Sequence, residues 1–156
     1  MGDEIKRTYL VVIDDSAEAR VALRFAARRA AKTNGRIEVL GIVEPQDFVQ
    51  FGGVQAAIEE EQRLRIEGVV SSAVGEILDE SGVEANIVVR QGEPVKAIAE
   101  LLKERDDIAA LILGAAPEGG PGPLVEHFAG AAAGTLPCPL VIVPGRLPDE
   151  ALDRPV

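Results

Sequence analysis

The sequence predicts a doubly wound α/β domain, in which one parallel sheet is covered by helices on both faces. Two observations carry this. Five short runs rich in Val, Ile and Leu recur along the 156 residues, and segments with helical apolar spacing separate them. Strands that alternate with helices imply parallel pairing with the helices as crossovers. The crossovers should be right-handed. The alternation does not set the order of the strands in the sheet.

The first run, Tyr9 to Asp14, is continuously apolar until its last residue, as in a strand buried on both faces. Ser16 can N-cap the next segment, Ala17 to Lys32, whose apolar stripe is Ala19, Leu23, Ala26 and Ala30. Arg20, Arg24 and Arg28 fall on another face and read as a solvated surface. Asn34-Gly35 stops this helix. Arg36 to Glu44 is the second strand. Pro45 to Gly53 reads as a loop containing Phe48 and Phe51. Gln55 to Ser81 is a long helical stretch, charged in its first half and carrying Val70, Val74, Ile77 and Leu78 in its second.

Ala85 to Arg90 is the third strand. Gly92-Glu93-Pro94 opens the third helix, with Pro94 at its first position and Val95, Ile98, Ala99 and Leu102 on one face. Ile108 to Leu113 is the fourth strand. A glycine- and proline-rich loop, Ala115 to Pro123, leads to the short helix Leu-Val-Glu-His-Phe-Ala, and Leu140 to Val143 lies in the fifth strand. Gly145 to Val156 is read as a short helical turn or as disordered. The domain is expected over residues 9–145, between an N-terminal extension (1–8) and a C-terminal tail (146–156).

Composition narrows the function. With 47% hydrophobic and only 3% aromatic residues, the core must be built from Ala, Val, Leu and Ile. The net charge of −10 argues against a general nucleic-acid face. No apolar run approaches the ~20 residues of a membrane span, and the first residues lack a secretory signal pattern, so a cytoplasmic location is expected. The single cysteine, Cys138, excludes an internal disulfide and reads as a buried, inert thiol.

In sheets of this kind ligands bind at the carboxyl ends of strands where the strand order reverses, and the first strand usually flanks that point. Asp14-Asp15-Ser16 is therefore a candidate site. A receiver-type phosphoacceptor would need an Asp after the third strand, a hydroxyl after the fourth and a Lys after the fifth, and none of these is present. Neither G-x-G-x-x-G nor G-x-x-x-x-G-K-[ST] occurs, so dinucleotide and P-loop readings fail. One histidine, His127, gives no basis for a histidine metal cluster or a Ser-His-Asp triad. The loop after the fourth strand carries Gly114, Gly119, Gly120 and Gly122. It could let a backbone approach an anion at a helix start, or it could be a plain surface loop. From Gly114 to Gly134 it has no Lys or Arg, whereas Glu118 and Glu126 are present.

These residues together resemble the universal stress protein family. Leu10-Val11-Val12-Ile13-Asp14-Asp15-Ser16 is similar to that family's first strand, which usually ends Asp-Gly-Ser. Leu40-Gly41-Ile42-Val43-Glu44-Pro45, Gln91-Gly92-Glu93-Pro94, Ala110-Leu111-Ile112-Leu113-Gly114 and Cys138-Pro139-Leu140-Val141-Ile142-Val143 are similar to its later segments, in order. The resemblance implies a Rossmann-like five-stranded sheet of order 3-2-1-4-5, of the adenine nucleotide alpha hydrolase-like kind. It also implies a homodimer, often paired through the last strand, and a stress-response role without dedicated catalysis. ATP, with Mg²⁺, would bind between strands one and four. Asp14 would contact the ribose and Ile42 would lie against adenine.

The family's ATP-binding members carry G-x-x-G, nine residues, then G followed by Ser or Thr. Gly120 and Gly130 fit the second spacing, but Pro117 stands three before Gly120, and Gly114 serves only if the loop is about three residues longer. Ala131 replaces the hydroxyl, and Asp15 replaces the usual glycine. One lost neutral donor costs roughly 0.5–1.5 kcal/mol, about threefold to tenfold in affinity. A nucleotide-free protein-interaction module of the same fold, with an unknown protein partner, is the alternative. Slow ATP hydrolysis is the third reading.

Overall fold

The computed structural model describes residues 7–45, 52–79 and 81–154. Five strands alternate with helices: β1 Thr8–Val12, α1 Ala17–Thr33, β2 Arg36–Val43, α2 Gly52–Leu78, β3 Ala85–Gln91, α3 Pro94–Glu104, β4 Ile108–Ala115, α4 Pro123–Ala129, β5 Leu140–Pro144 and α5 Asp149–Leu152. A single 3₁₀ turn, Ala133–Thr135, lies between α4 and β5. The strands form one sheet of order β3-β2-β1-β4-β5, and all four pairings are parallel.

Strand periodicity explains why the first run is apolar throughout. Tyr9, Val11 and Ile13 face α1 and α2 in one core layer, and Leu10 and Val12 face α3 and α4 in the other. The helices carry the matching stripes. In α1, Ala19, Leu23, Ala26 and Ala30 are buried as expected, together with Ala22 and Ala27. Small alanines let the helix lie close to the sheet. In α3 the buried set is Ala97, Ile98, Leu101 and Leu102, so the core-facing stripe is turned from the expected one: Val95 and Ala99 are half-buried. In α2, Val70, Ala73 and Ile77 are buried and Val74 packs at the margin. Gly41 on β2 lets this helix approach, since a Cβ there would sit 2.8 Å from both Ile66 and Val70.

The helix ends follow local chemistry. Ser16 caps α1 by accepting a hydrogen bond from Ala19 N, and Asn34 closes it in the left-handed conformation at φ 53°. Glu93 caps α3, accepting from Val95 N and Lys96 N ahead of Pro94. The expected loop from Pro45 to Gly53 lies mostly outside the described residues, and Gly52 and Gly53 belong to α2. The C-terminal tail forms the turn α5, with Ala151 and Leu152 buried.

Two expectations are corrected. Arg20 and Arg28 are not merely solvated: Arg20 pairs with Glu76 of α2, and Arg28 reaches Asp149 and Asp153 around α5. Tertiary packing brought partners that a single helix cannot supply. Cys138 is half-buried rather than buried, because the chain runs along the sheet margin there; the burial it does have raises its thiol pKa, which agrees with an inert side chain.

At the amino ends of the strands lies a network of paired charges. Glu38 on β2 is 3% exposed. It accepts from Asn86 Nδ2 of β3 at 3.0 and 3.2 Å and pairs with Arg105 at 3.1 Å. Arg105 also donates to both oxygens of Asp107, each at 2.7 Å, and Thr8 Oγ1 of β1 donates to Asp107 at 3.0 Å. Asp107 is held down at about 2, first by the Arg105 hydrogen bonds and then by that from Thr8, against an opposing effect of burial. Arg105 is raised in turn, chiefly by Asp107. Four strands or their connections are thus tied at one end of the sheet.

Candidate functional site

The opposite end of the sheet is open. After β1 the chain turns outward through α1 to β2 and β3, and β4 then lies on the other side of β1. The reversal leaves a crevice at the carboxyl ends of β1 and β4. A cavity of about 490 Å³ occupies it, within the range of small-molecule sites.

Its walls have two characters. Val12, Ile13, Ile42, Val43, Leu113 and Val95 supply an apolar floor and side. The polar side chains come from the starts of helices, Asp14, Asp15, Ser16 and Glu18 at α1 and Glu93 at α3, while Pro121 to Val125 at the start of α4 add further wall. From α2 come Gln62, Arg65 and Ile66, and Glu44 follows β2. Among the described residues, five carboxylates therefore line the cavity against one guanidinium, that of Arg65.

Each residue at the end of β1 has a local task. Asp14 Oδ1 accepts from Ser16 N at 2.9 Å, bending the chain out of the strand. Ser16 Oγ accepts from Ala19 N at 3.2 Å and starts α1. Asp15 Oδ2 pairs with Arg65 Nη2 at 2.5 Å. The cap is thus the serine, as the sequence suggests, and Asp15 is free to pair with α2.

Of the residues singled out from sequence, Asp14, Asp15, Ser16, Ile42 and Gly114 line the cavity. Gly120, Gly130 and Ala131 are exposed and do not. Gly114 is required for packing: a Cβ there would lie 2.2 Å from the Glu18 carbonyl oxygen, so α1 could not close on β4. Gly130 ends α4, where a Cβ would meet the Glu126 carbonyl at 2.5 Å. Gly120 has φ 89° and belongs to a turn with Gly119 and Gly122, also at positive φ.

The glycine loop is folded upon itself. Ala116 N donates to Pro121 O at 3.2 Å, and Gly145 N after β5 donates to Ala115 O at 2.9 Å. Arg146, also after β5, pairs with Glu118. The loop has no basic residue of its own, yet its acid is matched by Arg146, 28 residues further along the chain. At the start of α4, Pro123 has no N–H to offer a ligand. His127 does not line the cavity, and its ring packs edge-on to Phe128 at 5.0 Å.

Sequence reasoning missed Arg65 and Glu93 as lining residues. Arg65 sits in a charged stretch of α2 whose solvated reading is the ordinary one, and no motif marks it. Glu93 was legible as the start of α3, and its position beside β1 follows from the strand order.

None of the curated proteins matches the sequence. Among solved structures, the universal stress protein UspA from Lactobacillus plantarum is 15% identical, with 88% of this chain and 97% of that one covered at a TM-score of 0.73. A universal stress family protein from Burkholderia pseudomallei is 17% identical, with 90% and 98% covered at 0.70. The universal stress protein from Archaeoglobus fulgidus in complex with dAMP is 20% identical, with 90% and 99% covered at 0.58. These similarities show the shared fold. The sequence model of the universal stress protein family matches residues 6–144, which span all five strands and the crevice between β1 and β4. On that match the chain belongs to the universal stress protein family.

Proposed function

We propose that this chain is a non-catalytic stress-response or signalling protein of the cytoplasm that binds an adenine nucleotide in the cavity between β1 and β4. The observation that carries the reading is the cavity itself, which sits at the switch point with an apolar wall on one side and Asp14 on the other. Ile42 and Leu113 suit the faces of a base, and the Asp14 carboxylate suits a ribose hydroxyl. Two solved structures of the same fold, the Archaeoglobus fulgidus protein with dAMP and an Arabidopsis thaliana family protein with AMP, support it. No helix among the described residues is long and apolar enough to cross a membrane.

The fit is uneven along an ATP molecule. A base and sugar find matching walls, whereas a triphosphate would meet, among the described residues, five carboxylates and one cation, Arg65. Among the described residues no group of three His, Cys, Asp or Glu is arranged to hold a metal, so Mg²⁺ would have to arrive with the nucleotide. Calorimetric titration with adenosine, AMP and ATP tests the reading: saturable binding of at least one is expected, and no heat from any of them at millimolar concentration would sink it.

That negative outcome would favour the second reading, a nucleotide-free module that recognises a protein partner. The self-closed glycine loop, with Gly120, Gly130 and Ala131 outside the cavity, is what speaks for it. A homodimer through β5 belongs to both readings. On its outer side β5 has no strand partner among the described residues, and Ile142 is 40% exposed. Sedimentation should show a dimer at tens of micromolar that Ile142→Lys converts to monomer.

A further inference from the structure

We propose that Arg65 sets the ligand class of the cavity, receiving a single phosphate, so that the site takes a nucleoside monophosphate and disfavours a triphosphate. The inference rests on the adenine-ligand reading above and adds the residue and the charge limit. Arg65 Nη2 is held by Asp15 Oδ2 at the rim of the cavity, and both side chains are more than half exposed, at 54% and 63%. Exposed pairs of this kind are weak. A guanidinium so held is preorganised yet exchangeable, and its planar fork matches two phosphate oxygens better than one carboxylate oxygen.

Among the described residues no second cation lines the cavity. Arg63, two residues before Arg65 on α2, is paired with Glu67, and Arg20 on α1 is paired with Glu76. Two of the carboxylates are also fixed in place: Asp14 accepts from Ser16 N, and Glu93 accepts from Val95 N and Lys96 N. They cannot swing away without giving up the turn that leads out of β1 and the cap of α3. Arg65 can offset about one phosphate, and every further phosphate adds charge against fixed acids within about a Debye length. Asp15 has a double effect, since it positions Arg65 and competes with the phosphate for it.

The test is calorimetric titration of the full chain with adenosine, AMP and ATP, in EDTA at constant ionic strength, for the wild type, Arg65→Gln and Asp15→Asn. AMP is expected to bind about threefold or more tighter than adenosine, and ATP roughly tenfold weaker than AMP. Arg65→Gln should bring AMP down to the adenosine level while leaving adenosine unchanged. Asp15→Asn should tighten AMP by about threefold by freeing Arg65. An AMP-to-adenosine ratio unaffected by Arg65→Gln, or metal-free ATP binding as tightly as AMP, would overturn the proposal. Those outcomes with adenosine still bound leave the adenine pocket standing and remove only the role of Arg65. Absence of binding by all three ligands to the wild type removes both.

Discussion

The two ends of the sheet treat charge in opposite ways. At the amino ends, Glu38, Arg105 and Asp107 are tied with Asn86 and Thr8 into a network in which every carboxylate has a donor. At the carboxyl ends, five carboxylates of the described residues face a cavity with one guanidinium among them, itself in an exposed pair. The amino end cannot leave its buried Glu38 unmatched, because desolvation makes an unpaired ion there very costly. The open end can, because water screens the excess. A sheet of this kind needs the first end to be rigid so that the second can hold unmatched groups in fixed positions for a ligand.

Removing a charge at each end is the sharpest way to break this contrast. Arg105→Ala leaves Glu38 buried with Asn86 as its remaining partner and should destabilise the fold by about 3 kcal/mol in chemical denaturation. A loss below about 1 kcal/mol would mean the network is not a clamp. Gly114→Ala probes the frame of the cavity, since its Cβ would collide with the Glu18 carbonyl. We expect a loss of about 2 kcal/mol from overpacking between α1 and β4, measured in the same way.

A smaller effect appears with pH. The folded Asp107 carboxyl lies at about 2, below its ordinary 3.8. Its contribution is therefore fully present above its unfolded value and is lost as pH falls through about 2. Because the side chain is about one-third exposed, we expect no more than about 1 kcal/mol after screening. Stability measured from pH 5 down to 2 should fall less steeply in Asp107→Asn than in the wild type. The smallest effect is expected at the open end: Arg65→Ala should change stability by less than about 0.5 kcal/mol, as for other exposed pairs. A loss as large as that of Arg105→Ala would erase the distinction between the two ends.

Much of this molecule was legible from residue order. The five strands lie where the apolar runs do, Ser16 and Pro94 start their helices, and Asn34 ends α1. Such features are local, because capping and periodicity act within a few residues. The stripe of α3 was less legible, since small residues such as Ala97 and Ala99 carry little hydrophobic signal and the neighbouring helix decides which is covered. The phosphate-loop spacing placed Gly120, Gly130 and Ala131 together with Asp14 on paper, whereas folding leaves them outside the cavity. Their glycines answer to turn geometry and to the end of α4.

By itself the sequence determined the alternation of strands and helices and the acid-ended first strand, because these depend on side-chain size, polarity and backbone preference along the chain. Only the tertiary structure decided which charges meet. Arg65 reaches Asp15 across fifty residues, Arg105 joins Glu38 across the sheet, and Arg146 covers Glu118. A pair of charges so distant in sequence leaves no periodic trace, since its geometry is set by how separate elements pack and by the desolvation that packing imposes.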